Sequence, residues 1–84
     1  MWYVYILRCR DGSLYIGMTW NVEKRLWEHN TRIGALYTRN RLPVKLVYYE
    51  EFRNKFDAAR REKEIKGWRR EKKEDLITGF QGLP

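Results

Sequence analysis

The sequence predicts an α+β fold in which a three-stranded antiparallel sheet is flanked by helices, in the order β-β-α-β-α-α. Two β-rich runs, residues 2–9 and 14–18, are separated by a strong turn signal. A helical pattern of apolar residues follows over 22–30, and a third β-rich run over 44–50 precedes two charged helical stretches. A chain of 84 residues has room for one hydrophobic core, so we expect a single domain over residues 1–84.

The register of the first hairpin decides which of its side chains share a face. The first run is apolar on both faces, which is typical of a central strand covered on both sides. A two-residue turn at Asp11–Gly12 would leave Tyr5 and Tyr15 on opposite faces. A three-residue loop with Gly12 in the left-handed conformation places Tyr5 opposite Gly17 and both tyrosines on one face. We favour this register, in which Gly17 leaves room beside Tyr5 for water and phosphate.

The first helix, over 22–30, has Asn21 as its expected N-cap. At about 100° per residue, Arg25 and His29 lie on the core side of this helix or on its rim, whereas Glu28 points the other way. We therefore expect Arg25 to approach the two hairpin tyrosines.

Residues 31–43 form a predicted loop that is rich in Thr, Arg, Asn and Gly. Its arginines are interleaved with a tyrosine, a pattern that fits either an arm contacting phosphates or a solvated connector. The candidate nucleic-acid-binding residues are Arg32, Tyr37, Arg39, Arg41 and Lys45.

The next helix begins at Asn54 or Asp57, runs to about residue 66 and stops at Gly67. Glu62 lies inside its narrow apolar arc, unlike the neighbouring Glu64. A carboxylate on the inward face costs several kcal/mol unless it is paired, hydrogen-bonded or bound to a metal, which singles out Glu62. The apolar arc is formed by Ala58, Ala59 and Ile65.

A last charged helix is predicted over 69–78, anchored by Trp68, Leu76 and Ile77, and residues 79–84 are expected to be a frayed tail. The single cysteine, Cys9, excludes an intrachain disulfide and fits a reducing compartment. No signal pattern and no apolar run of roughly 18 residues is present, so we expect a soluble, cytoplasmic protein without membrane contact.

The formal charge of +7 indicates a polyanionic partner, with nucleic acid the first choice and an anionic membrane surface the second. Phosphodiester hydrolysis needs a group that takes a proton from water, a cation that holds the phosphate and a metal that neutralises the leaving oxygen. Taken singly, the candidates also fit core tyrosines, a helix pair and a paired carboxylate. The candidate catalytic residues are Tyr5, Tyr15, Arg25, His29 and Glu62.

The ordered spacing of these residues resembles the GIY-YIG nuclease domain, over nearly the whole chain. The matching positions are Tyr3-Val4-Tyr5, Tyr15-Ile16-Gly17, Arg25-x-x-x-His29 and Glu62. The first motif begins Tyr3-Val4 instead of Gly-Ile, so only its tyrosine matches. The run 61–68 resembles small stand-alone bacterial members of the family, which are similar to the nuclease domain of a DNA-repair excinuclease.

The resemblance implies hydrolytic cleavage of DNA with a single divalent cation, Mg²⁺ or Mn²⁺, bound by Glu62. It implies that Tyr5 and Tyr15 are active-site phenols, that Arg25 holds the phosphate and that His29 assists proton transfer. Which of Tyr5, Tyr15 or His29 is the general base stays open, with Tyr5 preferred. The function expected is a DNA endonuclease, structure-selective for branched or nicked DNA in repair or recombination, with a monomer favoured. The alternative is a nucleic-acid-binding module without independent catalytic activity.

Overall fold

The computed structural model describes residues 1–80, which contain a three-stranded antiparallel sheet with the strand order β2-β1-β3. The strands are β1 (Trp2–Arg8), β2 (Leu14–Thr19) and β3 (Lys45–Phe52). The helices are α1 (Val22–Asn30), α2 (Leu36–Arg39), α3 (Lys55–Lys66) and α4 (Arg70–Thr78). The predicted fold class and element order are confirmed, and the short helix α2 is an addition within the predicted loop.

The hairpin has the predicted odd-length loop. The backbone N–H of Cys9 donates to the carbonyl of Ser13 at 2.8 Å, and Gly12 between them has a φ of 86°. This left-handed conformation is readily available to glycine because it has no Cβ. Tyr5 consequently pairs with Gly17, and both hairpin tyrosines project from the same face of the sheet.

One face of the sheet packs against α3 and α4. Val4, Ile6 and Ile16 meet Ala58 and Ile65 of α3 in a buried cluster. The expected anchors at the end of the chain are confirmed, since partly buried side chains cover this cluster from the α4 side. They are Trp68, Leu76 and Ile77.

The other face carries a smaller core beneath α1. Tyr5, Leu7, Cys9 and Val44 are buried in it, with Leu26 of α1 packed against them. Alternation along β1 thus sends Tyr5 to one layer and its neighbours Val4 and Ile6 to the other. This smaller core is the layer that positions the candidate site.

Two details of the chain differ from the pattern in the sequence. Ala59 is exposed, because α3 directs only Ala58 and Ile65 fully onto the sheet and Ala59 lies about 100° further round the helix. Phe80, in the predicted tail, packs its ring 5.1 Å from that of Tyr48 and 5.2 Å from that of Tyr49. Residues 81–84 lie outside the described residues.

Among residues 1–80, no helix has the length and apolar character needed to cross a membrane.

Candidate active site

The hairpin and α1 bring four of the predicted catalytic residues together. The ring centroid of Tyr15 lies 5.0 Å from that of His29 and 6.3 Å from that of Tyr5. Tyr5 and His29 are themselves in edge contact at 6.0 Å. Arg25 is one helical turn before His29, and its charge acts on both Tyr5 and His29. The predicted shared face of the two tyrosines is confirmed, and so is the approach of Tyr5 to Arg25.

A buried chain of hydrogen bonds fixes the orientation and tautomer of His29. The Thr38 hydroxyl donates to the carbonyl of Ala35 at 3.0 Å, so its oxygen accepts from Nδ1–H of His29 at 2.7 Å. A neutral imidazole then has its free lone pair on Nε2. The Tyr5 hydroxyl, 3.0 Å away, therefore donates its proton to Nε2.

Two glycines allow this chain to form. A Cβ on Gly17 would come within 2.6 Å of the Tyr5 hydroxyl, and a Cβ on Gly34 would come within 2.6 Å of His29 Nδ1. The expectation that Gly17 leaves room for water and phosphate was therefore wrong, because the phenol of Tyr5 itself fills that space. Thr38 and Gly34 were not predicted, because neither a hydroxyl nor a glycine within a loop carries a periodic signal.

Burial keeps both Tyr5 and His29 in their neutral forms. Loss of solvent raises the pKa of Tyr5 to about 12, and the nearby Arg25 offsets this only in part. Loss of solvent, followed by the charge of Arg25, lowers the pKa of His29 to about 4. Tyr5, the preferred candidate for the general base, is therefore a neutral hydrogen-bond donor here and not a phenolate.

Tyr15 differs from Tyr5 because its side chain is only partly buried. In residues 1–80 every fully buried side-chain nitrogen or oxygen has a hydrogen-bond partner. The Tyr15 hydroxyl forms no hydrogen bond with those residues, so its oxygen is accessible. Tyr15 can thus contact an incoming water or phosphate, whereas Tyr5 is only 2% exposed.

Arg25 lies at the rim of the same cluster. Its guanidinium pairs with Glu28 at 3.1 Å, and the Glu28 side chain is 24% exposed. The prediction that Glu28 points away from Arg25 was therefore wrong, because the i,i+3 spacing and opposite charges draw the two together. Burial opposes the charge of Arg25, but the hydrogen bonds that its guanidinium donates to Glu28 and Tyr5 outweigh this effect and the pKa of Arg25 is raised.

Glu62 belongs to α3, which packs on the other face of the sheet. Its side chain is 19% exposed and pairs with Lys66 at 3.0 Å, whereas Glu64 is 53% exposed. The predicted inward position of Glu62 relative to Glu64 is confirmed. Its negative charge contributes to the raised pKa of Tyr5, and within residues 1–80 it makes no hydrogen bond to the tyrosine cluster.

The surroundings of Glu62 fit a metal ion that keeps most of its waters. In the part of the chain that the structure describes, no three His, Cys, Asp or Glu side chains gather as a ligand set. Mg²⁺ is commonly bound through one or two carboxylates plus substrate phosphates. A partly buried single carboxylate is compatible with that mode of binding.

The comparison with known families finds a match over most of the chain. Residues 1–75, which include every predicted catalytic position, match the family model of the GIY-YIG catalytic domain. The chain belongs to the GIY-YIG catalytic domain family. In this GIY-YIG chain, the matched range contains Tyr5 and Tyr15, the pair that the hairpin places on one face.

Relatives with similar sequences cover most of this GIY-YIG chain. A UPF0213 protein of Clostridium perfringens is 57% identical over 76 residues, which is 90% of this chain and 82% of the relative. A UPF0213 protein of Natronomonas pharaonis is 51% identical over 95% of this chain and 94% of the relative. The solution NMR structure of a UPF0213 protein from Bacillus halodurans is 46% identical, with a TM-score of 0.63, over 98% of this chain and 88% of that one.

The predicted nucleic-acid-binding residues of the GIY-YIG chain fall into two groups. Arg32 and Arg39 line a shallow cavity of ≈ 230 Å³ together with Arg10, which was not predicted. Arg32 has a φ of 70° at the end of α1, a left-handed position usually taken by glycine. The left-handed conformation costs roughly 1–2 kcal/mol for a residue with a Cβ, so the backbone conformation of Arg32 is locally unfavourable.

The other predicted binding residues are engaged within the protein or lie apart. Arg41 pairs with Asp11 at 3.1 Å, and its guanidinium carbon lies 4.1 Å from the ring centroid of Tyr37. Tyr37 in turn lies 6.0 Å from the ring of Tyr15 and is 40% exposed. Lys45 is exposed at the start of β3. Arg41 thus supports Tyr37, and it is less available to a phosphate than Arg32 or Arg39.

The buried imidazole predicts a loss of stability in mild acid. The unfolded chain protonates His29 at its ordinary pKa of 6.5, whereas the folded protein does so only near 4. The unfolded state therefore binds more protons in this window, and the free energy of unfolding falls as the pH falls from 6.5 towards 4, by about 3 kcal/mol. Above pH 6.5 this contribution is fully present.

Because His29 is the single histidine of the chain, its titration can be followed directly by NMR. Urea unfolding at several pH values then gives the matching loss of stability. An ordinary histidine pKa in the folded protein would contradict the buried neutral tautomer.

Proposed function

We propose that this GIY-YIG domain is a metal-dependent DNA endonuclease that hydrolyses phosphodiester bonds. The observation that carries the proposal is the convergence of Tyr15, Arg25 and the Tyr5–His29–Thr38 hydrogen-bond chain on one face of the sheet. An accessible phenol, a cation and a buried imidazole in one place supply what attack on a phosphodiester requires.

Each side chain of the cluster has a proposed role. Tyr15 acts in its phenolate form: its oxygen contacts the attacking water and accepts the proton that the water loses as it attacks phosphorus, which returns the neutral phenol. Arg25 holds the non-bridging oxygens of the scissile phosphate, since a guanidinium matches phosphate geometry. Tyr5 and His29 are positioning residues, which stay neutral and orient Tyr15 and Arg25 through their packing.

Glu62 is the proposed ligand of one Mg²⁺ or Mn²⁺ ion. When bound, such an ion supplies positive charge for the departing 3′ oxygen and adds to the field that favours ionisation of a phenol. Lys66 now neutralises Glu62, so a metal has to compete with this ion pair. The Lys66 side chain is 54% exposed, which makes that exchange accessible.

Arg10, Arg32 and Arg39 are proposed to contact the DNA backbone beyond the scissile phosphate. None of them has an ion-pair partner within residues 1–80, so their cavity is a cluster of like charges that an anion would relieve. Tyr37, Arg41 and Lys45 are proposed as further contacts to the DNA outside this cavity. The substrate we propose is branched or nicked DNA, in repair or recombination in the cytoplasm, cut by a monomer.

Cleavage of branched, nicked and linear DNA by the purified chain, with and without Mg²⁺ or Mn²⁺, tests the proposal. Metal-dependent cutting is expected, with branched or nicked DNA preferred. Binding measured before metal is added should weaken steeply with salt, because each neutralised phosphate releases counterions. No cleavage with any metal and DNA would reject the nuclease, and binding that does not change with salt would reject the basic surface.

A second candidate is a DNA-binding module without independent catalysis. It is favoured by two observations, the ion pair between Glu62 and Lys66 and the raised pKa of Tyr5. The same assay separates the candidates, since this module would bind DNA with strong salt dependence and leave it uncut.

A further inference from the structure

A groove with aromatic walls lies on the same face of the sheet as the tyrosine cluster. Its volume is ≈ 520 Å³, which is within the usual range for small-ligand sites. Tyr3, Leu46 and Tyr49 line it from the strands, and Trp20 lines it from the segment before α1. The rings of Tyr3 and Tyr49 meet edge to face with centroids 6.0 Å apart, and Trp20 is 60% exposed.

The groove adjoins a cavity beside Arg25. Trp20 and Asn21 line both spaces, so they form the boundary between them. A nucleotide whose phosphate lies at Arg25 therefore has the groove within reach of its own base or of the adjacent base. Nothing in the proposed cleavage chemistry uses the residues of this groove.

The charges around the groove distinguish it from the basic surface formed by Arg10, Arg32 and Arg39. Glu23 and Glu51 line it, and neither has an ion-pair partner within residues 1–80. On a chain of net charge +7, two free carboxylates beside exposed aromatic rings disfavour a phosphate and favour hydrogen-bond donors. The exocyclic amino groups of cytosine and adenine are such donors, and carboxylates accept from them.

We propose that this groove binds an unpaired nucleobase of the nucleic acid whose phosphate lies at Arg25. The base stacks on Trp20 and the tyrosine rings, and Glu51 or Glu23 accepts a hydrogen bond from an amino-bearing base. Aromatic stacking of this kind is how proteins hold exposed bases without reading a duplex. The proposal rests on the nucleic-acid substrate of the proposed function and deepens it, because it requires an unstacked nucleotide next to the scissile bond.

Binding of short oligonucleotides of equal length, without metal, tests the groove. The oligonucleotides contain cytosines, thymines or abasic sites, so the number of phosphates is the same. Trp20→Ala should weaken binding of the cytosine oligonucleotide roughly tenfold and leave the abasic one unchanged. Trp27→Ala is the matched control, since Trp27 is 61% exposed but does not line the groove.

Two further variants separate stacking from a loss of structure. Trp20→Phe keeps an aromatic ring and should restore most of the affinity. Glu51→Gln should reduce the preference for cytosine over thymine while stacking persists. Equal weakening by Trp20→Ala and Trp27→Ala, or equal binding of cytosine and abasic oligonucleotides by the parent, would overturn the proposal.

The outcomes also separate the groove from the nuclease. Binding that depends on Trp20, without cleavage in the presence of metal, would reject the nuclease and retain the base site. Metal-dependent cleavage with binding that ignores the bases would reject the base site alone. Absence of any binding would reject the base site, and the cleavage assay would decide on the nuclease separately.

Discussion

Tyr15→Phe should lower the rate of DNA cleavage by roughly 10²-fold or more, with DNA binding almost unchanged. The reason is that the Tyr15 hydroxyl is the accessible phenol of the cluster, whereas the Tyr5 hydroxyl is buried and donates to His29. Removing one oxygen from Tyr15 keeps the ring that packs against His29 at 5.0 Å. Single-turnover cleavage, measured together with DNA affinity, gives the result.

Tyr37→Phe is the matched control, because its ring lies 6.0 Å from that of Tyr15 and is 40% exposed. Because Tyr37 is a proposed DNA contact, Tyr37→Phe is expected to act only on DNA affinity and to cut at the parental single-turnover rate when DNA is saturating. Tyr5→Phe is expected to act first on stability, by about 1–3 kcal/mol, since it leaves the buried Nε2 of His29 without a donor. Parental cleavage by Tyr15→Phe with loss of cleavage in a fully folded Tyr5→Phe would reverse the two roles.

Glu62→Gln should lower metal-dependent cleavage by roughly 10²-fold or more, because the neutral amide is a poor ligand for a hard divalent cation. The loss should be partly relieved at high metal concentration, which marks a defect in metal binding. The cleavage rate as a function of Mg²⁺ or Mn²⁺ concentration measures it. Glu64→Gln, on the same helix with a side chain 53% exposed, should leave the metal dependence unchanged.

Glu62→Gln also breaks the ion pair between Glu62 and Lys66, so a second control is needed. Lys66→Gln breaks that pair and keeps the Glu62 carboxylate, and it should cleave at the parental rate or need less metal. An active Glu62→Gln with an inactive Glu64→Gln would move the metal ligand to Glu64. An inactive Lys66→Gln would show that the ion pair itself is required.

The element order and the hairpin could be predicted from local sequence alone. Alternating and continuous apolar runs distinguish the strands, and the odd-length loop at Gly12 is sufficient to place both tyrosines on one face. Helical periodicity placed Arg25 and His29 toward the core and Glu62 further inward than Glu64. The strand positions, the hairpin register and the inward faces of the helices depend on residues that are close in the sequence, so they can be predicted from the sequence.

The hydrogen bonding and protonation state of each polar side chain in the cluster depend on contacts between segments that are distant in the sequence. Thr38 sets the tautomer of His29 across a loop, and burial by the whole layer moves the pKa of Tyr5 to about 12. Gly17 proved to hold the phenol of Tyr5 instead of a cavity, because the length of a tyrosine side chain is seen only in three dimensions. Family membership follows from the ordered motifs in the sequence. The accessibility of the Tyr15 phenol and the groove at Trp20 follow only from packing. Both depend on which surfaces the packed helices and strands leave uncovered.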